Sequence, residues 1–206
     1  TENSGRSCIN ASGIWLSSNG RRVAEALAER FSQIEALPLD HPQAKLAAFT
    51  NPVMAHQLSE MIDNQLKIEG AIDLTAEIFG IDRIVEVDGY TFMLPMVVYC
   101  TDPKHPLANT EFLFPFVSVV ETPQSQILDQ IESTLVATAI TNDKAFIADL
   151  LHCTDIERLN IGQIPTNKIS WDQPHEGNLF ELLYRQRAFQ RSTSPLEFQQ
   201  PVIASV

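Results

Sequence analysis

Apolar positions change their spacing along the chain, and each change marks out an element. Residues 9–16 form a short apolar approach that stops at Ser17, Ser18, Asn19 and Gly20, a turn and helix-start signal. Val23, Leu27, Phe31 and Ile34 then recur at spacings of four, four and three, while Arg21, Arg22, Glu25 and Glu29 take the other faces. This predicts an amphipathic helix whose stripe faces a core. Asn51 ahead of Pro52 supplies a capping side chain and a pre-set φ, and Met54, Leu58, Met61, Ile62 and Leu66 give a second stripe, ending near Gly70. The period then shortens. Residues 84–87, 91–99 and 112–120 are rich in β-branched and aromatic side chains and read as strands, with Asp88-Gly89 as a hairpin turn. Pro95 and Pro115 each remove a ladder donor and point to bulges or strand edges.

Beyond Pro123 the pattern alternates: a helix around Ile127, Leu128 and Ile131, a strand over 135–140, a helix over 144–152, a strand over 156–161. Such crossovers bring parallel strands together with helices on their faces, so the fold class is a layered α/β domain with a mixed, largely parallel sheet. Residues 164–177 read as a loop with Pro165 and Pro174, residues 179–189 as a final helix, and residues 192–206 as an extended tail set apart from a domain over 1–191.

Composition narrows the function. Against 26 Asp+Glu stand 14 Lys+Arg, a net charge of −12, which opposes docking on phosphate backbones or anionic lipid, so no nucleic-acid or membrane partner is expected. The longest near-apolar stretches, 92–100 and 112–120, fall short of the roughly 20 residues a membrane-spanning helix needs. Cys8, Cys100 and Cys153 are few, odd in number and widely spaced, which fits a reducing compartment, the cytoplasm by default. The start TENSGRSC has neither an initiator Met nor a signal peptide, so the chain is expected to begin where something larger is cut.

Cys8 lies in GRSCINASG, among small and polar residues ahead of the first apolar segment. Backbone N–H groups of such a loop can stabilise a thiolate and a later oxyanion, so Cys8 is a candidate nucleophile; the other reading is an inert thiol. Cys100 ends an apolar strand and Cys153 a helix, and both read as structural. Glu111 opens TEFLFPFVSVV, either as a solvated strand-end charge or, because loops entering strand ends face ligand crevices in α/β sheets, as a ligand contact. His41, His56, His105, His152 and His175 show no metal-ligand spacing, so no metal site is expected. The residues 171–178, WDQPHEGN, suit a helix cap or a subunit contact, and the eight glycines are too dispersed for a phosphate cradle.

Taken in order, GRSCINASG, an amphipathic helix, VDGYTFMLPMVV, ANTEFLFPFVSVV and a βαβ segment, most of the chain resembles the C-terminal catalytic-domain portion of the aldehyde dehydrogenases, as a divergent branch. The family's Gly-Gln-x-Cys motif is matched by Gly5, Arg6, Ser7 and Cys8 with Arg in place of Gln, and the resemblance makes Cys8 the nucleophile. Of the family's Glu-Ile-Phe-Gly-Pro-Val motif, Glu111 and Pro115 are kept, and the resemblance makes Glu111 a contact to the nicotinamide ribose. QPHEGNLFELL stands where a Pro-Phe-Gly-Gly-type segment is expected.

The implied chemistry is attack of the Cys8 thiolate on an aldehyde, hydride transfer from the thiohemiacetal to NAD or NADP, and release of the thioester by water or CoA. Family chains are more than twice as long and place the cofactor domain, the general-base Glu and the oxyanion-hole Asn ahead of the nucleophile. The resemblance therefore implies a fragment, inactive alone, that forms a homo-oligomer or lacks an N-terminal half. The competing expectation is a non-catalytic remnant kept as an interaction or oligomerisation module.

Overall fold

The computed structural model describes residues 2–170, 188–192 and 202–205, which fall into two units. The first unit holds the residues up to 7 together with 19–121, and the second holds 8–18 with the residues from 122 onward. No helix among the described residues is long and apolar enough to cross a membrane.

In the second unit β1 (Gly13–Leu16) is followed by α4 (Gln124–Gln130), β7 (Thr134–Ile140), α5 (Lys144–His152), β8 (Ile156–Ile161), β9 (Ala188–Arg191) and β10 (Val202–Ser205). Elements α1–α3 and β2–β6 fall in the first unit. The strands lie in the order β1-β10-β7-β8-β9. β7, β8 and β9 are parallel, and β10 runs antiparallel to both β1 and β7. The βαβ segment lies where its periodicity puts it, and the Asp143 carboxylate starts α5 by accepting from the N–H groups of Ala145 and Phe146 at 2.9 and 3.2 Å. Its other oxygen accepts from Gln124 Nε2 at 2.8 Å, and these bonds hold Asp143 below the usual carboxylate range, the Gln124 bond first.

The first unit comprises α1 (Gly20–Phe31), α2 (Pro52–Leu66), β2 (Ala71–Asp73), α3 (Leu74–Phe79), β3 (Ile84–Val87), β4 (Tyr90–Met93), β5 (Met96–Cys100) and β6 (Phe116–Glu121). β2 pairs antiparallel with β5, β5 pairs parallel with β6, and β3 and β4 form a separate hairpin. At the hairpin turn Asp88 and Gly89 both have positive φ, 52° and 77°, as a two-residue turn of the mirror-image type requires. The α/β class with a mixed, largely parallel sheet and helices on its faces is what the two units show.

Several boundaries differ from the sequence expectation. Residues 91–99 are two strands, because Pro95 cannot donate to a ladder: β4 stays in the hairpin and β5 joins the sheet. Residues 112–115 precede β6; their bulky side chains instead build an aromatic cluster, with the Phe112, Phe114 and Phe116 ring centroids 4.7–6.2 Å apart. α1 packs deepest through Gly20, Ala24 and Ala28, spaced by four, leaving Val23, Leu27 and Phe31 half-buried at its flanks. That small-residue stripe lets the helix approach β5 and β6 closely: a Cβ at Gly20 would stand 2.5 Å from Glu121 Oε2 and 2.9 Å from the Tyr99 ring. The Gly20 N–H donates to Glu121 Oε2 at 2.7 Å, and Tyr99 donates its hydroxyl proton to the same oxygen at 3.0 Å, so a distant carboxylate starts this helix.

α2 keeps its predicted cap, with Asn51 Oδ1 accepting from the Val53 N–H at 3.1 Å, but ends at Leu66 and buries Ala55 and Ile62 while Met54 and Met61 stay exposed. The loop over 171–178 and most of the helix expected over 179–189 lie outside the described residues, and residues 188–189 begin β9. Within the stretch read as an extended tail, Val202–Ser205 form β10, set between β1 and β7.

Candidate functional site

The chain ahead of Cys8 is held in an uncommon conformation. Asn3, Ser4 and Gly5 have φ of 50°, 55° and 74°, three left-handed residues in a row, which non-glycine residues adopt at a cost. The surroundings enforce it. Arg6 N–H closes the turn on Asn3 O at 3.0 Å, and Ser4, itself buried, accepts from the Ala47 N–H at 2.8 Å through its hydroxyl oxygen. Gly5 lies so tightly against the chain at Phe114 and Pro115 that an added Cβ would meet Phe114 C and Pro115 N at 2.6 Å.

Arg6 fastens the same two segments. Its Nε donates to Leu113 O at 3.1 Å, its Nη2 donates to Ala47 O and Ala48 O at 3.3 and 3.1 Å, and the guanidinium sits 5.1 Å from the Phe49 ring centroid. The Gly5-Arg6 start of one sequence motif therefore rests on residues 113–115 of the other, the stretch that follows Glu111. The sequence marks both segments but not their apposition, because the contacts join positions more than a hundred residues apart. Arg6 is visible there only as a departure from Gln; its five donors and planar head are what let it take three carbonyls at once.

Cys8 follows in a turn between Arg6 and β1 and is exposed. Cys100 is fully buried on β5, where loss of solvent pushes its thiol up to about 12, and Cys153, at the end of α5, is partly buried. These settings set an order of reactivity: at neutral pH iodoacetamide should modify Cys8 first, Cys153 more slowly and Cys100 only on unfolding. Peptide mapping over time checks this, and a native-state order with Cys8 last would mark it as an inert thiol.

Glu111 precedes β6 by five residues and is exposed, while partial desolvation raises its carboxyl above the ordinary Glu value. His105 has a structural role: its Nδ1 accepts from the Leu107 N–H at 3.1 Å and its Nε2 meets Gln65 O at 3.2 Å. Among the described residues no three His, Cys, Asp or Glu side chains converge as metal ligands.

Gly5, Gly20, Gly70 and Gly162 have their Cβ space already filled by this chain's own atoms, and Gly80 and Gly89 are open but serve as a helix stop and a hairpin turn. None of these six stands in a glycine run of the kind a nucleotide cradle uses.

No protein-family model matches the sequence, and neither does any curated protein. Solved structures do match. Lactaldehyde dehydrogenase from Escherichia coli superposes with a TM-score of 0.65 at 15% identity, over 85% of this chain and 36% of that one. Glyceraldehyde-3-phosphate dehydrogenase GapN from Methanocaldococcus jannaschii, complexed with NADP, gives 0.65 at 14% identity over 84% and 36%. Proline utilization A from Bdellovibrio bacteriovorus gives 0.61 at 19% identity over 81% and 17%. The chain spans about a third or less of the length of these structures, and its fold is that of the corresponding portion of aldehyde dehydrogenases.

Proposed function

We propose that this chain is the catalytic-domain portion of an NAD(P)-dependent aldehyde dehydrogenase and that Cys8 is its nucleophile. The observation that carries this reading is the apposition of the two motif segments, with Gly5 and Arg6 seated on residues 113–115. A strained turn braced on several sides suits a group that must meet a substrate in a fixed pose. In the proposed first step the Cys8 thiolate forms a C–S bond to the carbonyl carbon of an aldehyde. The carbonyl π pair moves to oxygen, which takes a proton, and a thiohemiacetal results. Donors aimed at that oxygen lower the barrier, and backbone N–H groups of the Cys8 loop are placed in sequence to act so.

Glu111 is proposed as the contact to a nicotinamide ribose. The chain spans about a third of the length of the dehydrogenase structures it matches, and the hydride-accepting step is assigned to the complete enzyme and not to this chain. Its partners in this reading are a small-molecule aldehyde and either a second copy or an N-terminal half, in the cytoplasm.

The test is assembly with the polypeptide encoded directly upstream, assayed for NADH or NADPH formation over a broad aldehyde panel. Turnover supports the reading. Association without turnover with either cofactor assigns the chain the role of a non-catalytic interaction module instead. By itself the chain should show no micromolar binding of NAD+ or NADP+ in calorimetry, and such binding would overturn the division of labour proposed here.

A further inference from the structure

Strand β8 carries a feature that its apolar setting hides: Arg158 is 1% exposed, one of the largest fully buried side chains of the protein. Its Nη2 donates to Thr166 O, while its Nε and Nη1 have no partner among the described residues. A guanidinium stays charged, and a buried charge held by a single backbone carbonyl is a poor way to stabilise a strand; an apolar side chain of similar size serves stability as well or better. Thr166 continues the connection, because its hydroxyl donates to Ile9 O at 2.7 Å. Ile9 is the residue after Cys8. Arg158, Thr166 and Ile9 all belong to the second unit, so the chain of bonds lies within one body. Around it, Thr138 donates to Ile164 O at 2.8 Å and Asn160 Nδ2 donates to Thr138 Oγ1 at 3.1 Å, which fastens the same loop to β7 and β8.

We infer that Arg158 is a positioning residue for the Cys8 loop, acting through Thr166 on the Ile9 carbonyl. The inference rests on the proposal that Cys8 is the reactive group. The cost of burying an under-bonded cation is explained by what it holds in place: the loop over 162–170, whose Thr166 hydroxyl meets the chain just beyond the thiol.

The experiment compares Arg158→Met, Arg158→Lys and Thr166→Val with the unaltered chain, by amide deuterium exchange over residues 9–12 and by the iodoacetamide rate at Cys8, with Cys153 as an internal reference. Arg158→Met and Thr166→Val should each raise exchange over 9–12 about tenfold or more and alter the Cys8 rate about threefold or more in the same direction, with Cys153 unchanged. Arg158→Lys, which still offers a donor to Thr166 O, should restore much of the protection. The denaturation midpoint of Arg158→Met should not fall in proportion, which separates positioning from support of the fold. If Arg158→Met does not fold, Thr166→Val decides alone, since it removes only a loop hydroxyl. Wild-type exchange and a wild-type Cys8 rate in folded variants would overturn the inference. Neither readout requires turnover, so an assembly that oxidises no aldehyde defeats the dehydrogenase reading and leaves this test intact.

Discussion

Cys8→Ser, introduced into the assembled two-part protein, should lower aldehyde-dependent NADH or NADPH formation by about three orders of magnitude or more while leaving assembly and stability unchanged. A serine hydroxyl is almost wholly protonated at neutral pH and is a much weaker nucleophile than a thiolate, so the C–S bond-forming step has no substitute. The side chain is exposed and differs by one atom, and surface changes of that kind shift stability by only about 0.5 kcal/mol. Loss of activity with an unchanged denaturation curve therefore isolates the chemistry. Full activity in the serine variant would remove Cys8 from the mechanism and return the chain to the interaction-module reading.

Gly5→Ala should have the largest effect on folding among single glycine changes. Two costs add: an alanine at φ of +74° leaves its preferred region, and its Cβ would meet backbone atoms of Phe114 and Pro115 at 2.6 Å, which cannot swing aside as a side-chain tip can. Together they amount to about 2–4 kcal/mol. Gly89→Ala is the matched control. Its φ is +77°, yet nothing lies within 4 Å of the new Cβ, so only the conformational cost of about 1 kcal/mol remains. Denaturant midpoints of the two variants give the difference, and equal midpoints would mean that residues 5 and 114–115 are not pressed together in solution. Because Cys8 lies three residues beyond Gly5, the same variant should also change the Cys8 alkylation rate.

How much of this was legible before the structure depends on whether a signal is local. The segment from β7 to β8 could be read because the hydrophobic period changes on either side of its helix, which the structure shows to be capped by Asp143. The packing of α1 could not, since a Gly20–Ala24–Ala28 stripe carries little hydrophobic signal and gains its meaning only from Tyr99 and Glu121 on the sheet it approaches. β2 is three residues long and α3 only six, both too short for a periodic pattern, so neither was read from the sequence; the structure shows Asp73 capping α3 and Gly80 ending it. At the site, motif reading named Cys8 and Glu111 as residues of interest. It missed Arg158, because an arginine reads as solvent-facing and β8, buried at every position but Glu157, has no alternation that would assign it to the inner face. What decides otherwise is the loop that folds back over β8, a contact that only the three-dimensional arrangement supplies.

The position of β10 carries a consequence for synthesis. β1 and β7 leave the ribosome well ahead of Val202–Ser205, yet each is bonded to β10 along a full antiparallel ladder. The roughly 60 residues between β7 and β10 take about 3–12 s to translate at ordinary elongation rates. For that interval the nascent chain carries two unpaired strand edges rich in Ile, Leu, Val and Ala, the kind of surface that recruits chaperones or pairs with a neighbouring nascent chain. Ribosomes slowed between codons 141 and 201 lengthen this exposure, so yield of soluble protein should depend on elongation speed in that window more than anywhere upstream of it.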